Sequence, residues 1–242
     1  MILDFTNKKV LITGGTRGIG CEIAKAFDKL NAIVIITGTK DTFSTDEFSP
    51  NYEKLFINKN SDWKNQIDSI INKYNGFDIC INNAGINKVN RIEETNYEDL
   101  ENVILTNLTA PIYITSLISK EMIQNKKGSI INIGSIFGTV SKMGRNPYTA
   151  TKSGIIGVTK TMAIDLAEHN ILVNCVSPGF VDTQLTREVL GENQMKIMSE
   201  KIPMKRLAKT QDITSVILFL SSDFNTYITG QNITVDGGFT LE

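Results

Sequence analysis

Tyr148 and Lys152 lie four residues apart in the run Pro147-Tyr148-Thr149-Ala150-Thr151-Lys152-Ser153-Gly154. In a helix that spacing puts phenol and ammonium on one face. A free tyrosine, titrating at about pH 10, exchanges protons poorly at neutral pH. An ammonium within a few ångströms stabilises the phenolate and readies the hydroxyl to trade a proton with a substrate oxygen. Tyr-x-x-x-Lys also occurs by chance, and alone it equally describes a solvated surface pair.

The N-terminal segment supplies the company that changes this reading. Val10-Leu11-Ile12 leads into Thr13-Gly14-Gly15-Thr16-Arg17-Gly18-Ile19-Gly20, followed by the helix-like Cys21-Glu22-Ile23-Ala24-Lys25-Ala26-Phe27. Strand, glycine turn and helix in that order present backbone N–H groups at a helix start to an anion, and glycine permits the tight turn and close approach. The placement favours a dinucleotide over a loop that merely needs positive φ. The spacing is Gly-x-x-x-Gly-x-Gly, distinct from Gly-x-Gly-x-x-Gly, and no Gly-x-x-x-x-Gly-Lys-Ser/Thr loop for nucleoside triphosphates occurs.

Composition narrows the class. With 242 residues, 41% hydrophobic and 21% charged, the chain can form one globular domain with a substantial core. A net charge of −1 gives no electrostatic footprint for nucleic acid or an anionic membrane. The N-terminus lacks a signal-peptide apolar core and no uninterrupted apolar stretch reaches bilayer length, so a soluble, cytoplasmic protein is expected. Cys21, Cys80 and Cys175 are too widely spaced for a metal knuckle or redox pair and read as buried thiols of a reducing compartment. His169, the only histidine, falls at a helix end; neither a Ser-His-Asp triad nor a metal site is expected.

These residues need a scaffold. Segments rich in β-branched residues recur at 10–13, 33–37, 54–57, 77–81, 129–133, 172–176 and 232–235, with helix-period segments between most of them. The alternation predicts an α/β, Rossmann-type, doubly wound seven-stranded parallel sheet with helices on both faces, because parallel strands need long crossovers. Residues 41–52 are polar and read as a loop where a helix would be expected. Ligands bind such sheets at the carboxyl ends of the strands, where strand order reverses. Gly14, Asn82-Asn83-Ala84-Gly85, Ser135 and Pro178-Gly179 all follow predicted strands.

Over nearly its whole length the chain resembles the short-chain dehydrogenase/reductase family. The resemblance rests on Thr13-Gly14-x-x-x-Gly18-x-Gly20, Asn82-Asn83-Ala84-Gly85, Asn107, Ser135, Tyr148-x-x-x-Lys152, Pro178-Gly179 and Asp236-Gly237-Gly238. Within the family it looks most like the bacterial 3-oxoacyl-acyl-carrier-protein reductases, through Thr149-Ala150-Thr151-Lys152-Ser153-Gly154-Ile155-Ile156-Gly157 and Tyr227-Ile228-Thr229-Gly230-Gln231. It implies a single dinucleotide-binding domain over 1–242 that interconverts a ketone and a secondary alcohol. Tyr148 would be the general acid or base, Ser135 would hold the substrate oxygen, and Lys152 would act on Tyr148 and the nicotinamide ribose. Asn107 would hold a water linking Lys152 to solvent. Gly14, Thr16, Arg17, Gly18, Ile19, Gly20, Thr39, Lys40, Asn83, Ala84, Gly85, Tyr148, Lys152, Pro178, Gly179, Val181 and Thr183 would line the cofactor, and a homotetramer is implied, with the helices carrying Asn107 and Tyr148 and the C-terminal segment at its interfaces.

Charge argues for NADP(H), with NAD(H) possible. Gly38 stands where NAD-preferring members of the family carry an acid, Thr39 and cationic Lys40 follow, and Arg17 adds a second cation. Asp41, directly afterwards, argues the other way. The substrate mouth is expected from 86–96, 137–146 and a candidate lid at 181–204, where Leu185, Val189, Leu190, Met195, Met198 and Ile202 recur at roughly helical spacing, as core residues also would. The run Asn87-Lys88-Val89-Asn90-Arg91-Ile92-Glu93-Glu94 departs from the carrier-protein reductases, and Lys126, Lys127 and His169 make a thin docking surface. The partner is therefore an acyl-thioester or a small-molecule sugar, polyol or other polar ketone. A sensor that keeps the dinucleotide fold without turnover is a third reading, opposed by the presence of Asn107, Ser135, Tyr148 and Lys152.

Overall fold

The structure, a computed structural model, describes residues 2–241, apart from the side chains of Leu185, Val189 and Leu190. Seven parallel strands form one sheet: β1 (Lys9–Ile12), β2 (Ile33–Gly38), β3 (Asn51–Lys54), β4 (Ile79–Asn82), β5 (Gly128–Ile133), β6 (Ile171–Pro178) and β7 (Asn232–Val235), in the spatial order β3-β2-β1-β4-β5-β6-β7. The direction of strand addition reverses between β1 and β4, which are paired with Val10 opposite Ile79.

Alternation along each strand separates two cores. Val10, Ile12, Val34 and Ile36 face α1 (Gly18–Asp28) and α7 (Thr210–Ser221), meeting Ile23, Phe27, Ile213 and Ile217. Leu11, Ile35, Cys80 and Ile130 face the other way, onto α2 (Trp63–Tyr74), α4 (Ala110–Asn125) and α5 (Asn146–Ala167). Both faces are thus covered, as a parallel sheet requires.

The third strand lies earlier than the apolar run 54–57 predicts. Asn51–Lys54 pairs with β2 at the sheet edge, Ile35 opposite Asn51 and Gly38 opposite Lys54. An edge strand is half-solvated, so its polar residues hid it, whereas Phe56 in the predicted run is 43% exposed. No helix forms between β2 and β3, in line with the loop reading of that segment. Cys80 and Cys175 are buried; Cys21, on α1, is only half-buried, a departure from the expectation for all three.

Helix α3 (Tyr97–Ile104) runs into α4 through a single π turn at Leu105–Thr109. The joined stretch Tyr97–Asn125 is long and apolar enough by length and composition to cross a membrane, against the expectation that no stretch reaches bilayer length. Half of its most apolar stretch is buried inside the fold. Ile114, Ile118 and Met122 of α4 pack beneath the sheet, which accounts for the apolar composition.

Candidate active site

The turn after β1 and the segment after β4 meet at the reversal point. Asn83 joins them: its Nδ2 donates to the carbonyls of Thr13 (2.9 Å) and Gly14 (3.0 Å), and Thr13 Oγ1 accepts the N–H groups of Asn83 and Ala84 at 3.0 Å each. Gly14 and Gly18 take positive φ, 66° and 57°, and a Cβ on Gly14 would lie 3.0 Å from the Ala84 backbone. Among the described residues no protein acceptor takes the N–H groups of Gly18, Ile19 and Gly20, which open α1. Free donors at a helix start beside a glycine turn fit a dinucleotide pyrophosphate. Thr183, which caps α6 (Gln184–Lys201) by accepting the Thr186 N–H, lies over the same turn, its Cγ2 3.9 Å from where a Gly18 Cβ would be. Val181 is buried in a bridge to Ala208, and Gly179, after Pro178 at the end of β6, donates its N–H to the Val235 carbonyl at 2.9 Å.

Lys152 is 5% exposed. Its Nζ donates to the Ile133 carbonyl at 2.6 Å and lies 5.6 Å from the centre of the Tyr148 ring, so the end of β5 fixes the ammonium beside the phenol. Ser135 follows β5 and caps the short 3-10 turn Ile136–Gly138, its Oγ accepting the Phe137 N–H at 3.1 Å. A hydroxyl that accepts an amide keeps its own hydrogen to donate elsewhere. This turn sits directly on α5: a Cβ on Gly138 would lie 2.7 Å from the Lys152 carbonyl oxygen, so the close approach needs glycine.

Asn107 is buried within the π turn rather than on a regular helix, a feature often found at functional sites. Its Oδ1 accepts the Ile86 N–H and its Nδ2 donates to the Ile86 carbonyl, both at 2.8 Å, and to Thr151 Oγ1 at 3.3 Å. The side chain thus clamps the segment after Gly85 to α5, the helix of Tyr148 and Lys152. Deeper still, Asn82 and Asn132 bond each other at 2.9 Å and reach Thr115 and Thr159, bracing β4 and β5 against α4 and α5.

At the end of β2, Thr39 and Lys40 are exposed, as is Arg17 in the glycine turn. Asp41 is engaged by Lys54 at 2.6 Å, and that hydrogen bond and charge hold its carboxyl below the usual range. Neither Arg17 nor Lys40 has a carboxylate partner among the described residues.

Two of the expected mouth segments meet through a bridge between Asn90 and Arg145. Phe137 stands edge-on to Tyr148 (ring centres 6.4 Å apart) and to Phe180 (6.1 Å), and Phe180 to Phe239 (5.1 Å). Phe180 and Phe239 escape a sequence reading because only the sheet brings the ends of β6 and β7 together. Arg145, three residues before Tyr148, is a cation in the turn that opens α5, a signal visible in the sequence itself. In the candidate lid, Met198 and Ile202 are core residues, Met195 is half-buried, and Leu185, Val189 and Leu190 have side chains outside the described residues.

A family model described as enoyl-(acyl carrier protein) reductase matches residues 14–240, and the chain belongs to that family of short-chain dehydrogenases/reductases. It is an oxidoreductase. Among its curated relatives, the 3-oxoacyl-[acyl-carrier-protein] reductase FabG of Chlamydia pneumoniae is 37% identical over 250 residues, covering 99% of this chain and all of that one. The solved structure of aldohexose dehydrogenase (AldT) from Thermoplasma acidophilum, in ligand-free form, is similar at a TM-score of 0.90 and 28% identity, covering 98% of this chain and 95% of that chain. ElxO with NADP bound is similar at a TM-score of 0.87 and 30% identity, covering 98% of this chain and all of that one.

Proposed function

We propose that the chain uses NADP(H) to interconvert a 3-oxo carbonyl and its secondary alcohol. The observation that carries this reading is the fixing of Lys152 beside Tyr148 by the carbonyl of Ile133, two residues before Ser135. A bound nicotinamide supplies or removes the hydride. Tyr148 gives its proton to the carbonyl oxygen in reduction and takes it back in oxidation. Ser135 donates a hydrogen bond to the same oxygen, stabilising charge that develops there. Lys152 places its positive charge beside the Tyr148 ring, and Asn107 holds the mouth segment and α5 in register.

Gly14, Thr16, Arg17, Gly18, Ile19 and Gly20 receive the pyrophosphate side, Thr39 and Lys40 the adenosine ribose, and Asn83, Ala84, Gly85, Pro178, Gly179, Val181 and Thr183 the remainder. The preference for the 2′-phosphate is supported by the pairing of Asp41 with Lys54, which leaves Lys40 and Arg17 as the uncompensated charges. Bound NADP in the similar ElxO structure supports the same choice. Residues 181–204 act as a lid over the mouth, hinged at Gly191, where α6 breaks with φ of 70°. Ile112 and Ile164 on α4 and α5 are exposed, at 37% and 77%, and support a homotetramer built on these helices. The protein works in the cytoplasm.

Two substrate forms are supported. The names of the relatives point to a 3-oxoacyl thioester on a carrier protein. The chain's own surface favours a small polar ketone: Lys127 is paired with Asp223 at 2.7 Å and His169 lies 3.5 Å from Glu168, which leaves Lys126 alone of that expected docking surface without a carboxylate partner among the described residues. Steady-state rates with NADPH and NADH on acetoacetyl thioesters, sugar ketones and small polar ketones test the reading. Tyr148→Phe should lower turnover by about 10²- to 10⁴-fold while NADPH still binds; undiminished turnover would remove the mechanism, and failure of every ketone would favour the sensor.

A further inference from the structure

The chain has five arginines: Arg17, Arg91, Arg145, Arg187 and Arg206. Three are matched by carboxylates, Arg91 by Glu93, Arg187 by Asp182 and Arg206 by Asp212. Of the two without an ion-pair partner among the described residues, Arg17 lies in the glycine turn and Arg145 at the substrate mouth. Arg145 is the residue before α5, its carbonyl accepts the Thr149 N–H at 2.7 Å, and its backbone is bridged to Asn90. Its guanidinium carbon lies 5.5 Å from the centre of the Phe137 ring, whose edge contact reaches Tyr148. The Nε is inaccessible, and the terminal nitrogens of this half-buried side chain have neither an ion-pair nor a hydrogen-bond partner among the described residues.

We infer that Arg145 receives a carboxylate of the substrate, so that the preferred ketone is a short oxo acid in its free, unesterified form. An arginine held against an aromatic ring in the turn that opens the helix of Tyr148, with its terminal N–H groups unpaired, is a fork without its anion. Burial pushes its guanidinium below the usual range, and negative charge on Tyr148 acts the opposite way; an arriving carboxylate offsets the burial in the same sense. One guanidinium balances one negative charge. The neighbouring cations Lys88 and Arg91 are matched by Asp99 and Glu93, and Lys142 of the same segment is exposed. A thioester group puts no charge where the carboxylate would lie, and leaves the half-buried cation unpaired there. The wall of Phe137, Phe180 and Phe239 suits the short apolar part of such an acid.

This inference rests on the oxidoreductase reading and narrows its substrate. It is tested with NADPH on acetoacetate, methyl acetoacetate and acetoacetyl-CoA. The wild type should favour acetoacetate over its methyl ester by at least about tenfold in kcat/KM, mainly through KM. In Arg145→Gln that ratio should fall by roughly 10- to 100-fold, and Arg145→Lys, with charge but no fork, should fall between. Should Arg145→Gln fail to fold, the wild-type ratio and Arg145→Lys decide. A wild type that prefers the ester or the thioester, or a ratio unmoved in both variants, overturns the inference and leaves the reductase reading standing. No reduction of any of the three, with NADPH still bound, overturns the inference, and the reductase reading falls with it only if the sugar ketones and other polar ketones fail as well.

Discussion

Lys152 donates a 2.6 Å hydrogen bond to the carbonyl of Ile133, the last residue of β5. The bond ties the cation on α5 to the sheet two residues before Ser135, so one contact joins the helix of Tyr148 and Lys152 to the strand end that leads into Ser135. Lys152→Met keeps much of the apolar stem but leaves the Ile133 carbonyl unpaired in a buried place. It should abolish turnover and also lower stability by about 1–3 kcal/mol, read as the midpoint of urea unfolding. Lost activity with unchanged stability would show that the bond is not holding the site.

Asp41 is paired with Lys54 at 2.6 Å beside the proposed ribose site. Lys54→Met frees the carboxylate beside Lys40, and the ratio of kcat/KM for NADPH over NADH should fall roughly tenfold, more at low salt than at high. An unchanged ratio would locate the preference elsewhere than at the end of β2.

Gly138 lets the Ser135 turn rest on α5, where an added Cβ would meet the Lys152 carbonyl at 2.7 Å and Ile156 Cδ1 at 2.5 Å. Gly138→Ala must push the turn away from the helix. It should cost about 1–3 kcal/mol of stability and depress kcat more than it raises KM, since Ser135 moves with the turn. Wild-type kcat in the folded variant would argue against Ser135 as the oxygen's partner.

Asp236 organises the turn that carries Phe239 into the mouth. Burial pushes its carboxyl up, but hydrogen bonds from the Thr240 hydroxyl and the Thr240 and Gly238 N–H groups prevail and hold it below its ordinary value of 3.8. A depressed carboxyl contributes stability that is fully present above the unfolded value and is lost as pH falls through the folded one. The contribution should therefore persist at neutral pH and fade below pH 3.8. Asp236→Asn should be less stable than wild type at pH 7, with the gap closing in acid; a gap that does not depend on pH would mean that charge is not what holds the turn.

Local chemistry made much of this molecule legible from the residues alone. Alternating β-branched and helix-period segments fix element type, because burial patterning is a short-range property, and six of the seven strands lie within a few residues of their predicted places. Tyr148 with Lys152, and the glycine turn before α1, are likewise local, each contained in one element or one turn. Long-range placement decided the rest. The edge strand at Asn51–Lys54 is polar because a neighbour is missing on one side, which only the sheet order reveals. Asn107 is engaged by Ile86, and Asp41 by Lys54, across sequence gaps of 21 and 13 residues. The bare guanidinium of Arg145 and the ring of Phe239 acquire meaning only through what stands opposite them. Sequence spacing determines which groups share a face; whether a charge is matched or left open depends on partners from other strands, and folding alone brings those within bonding distance.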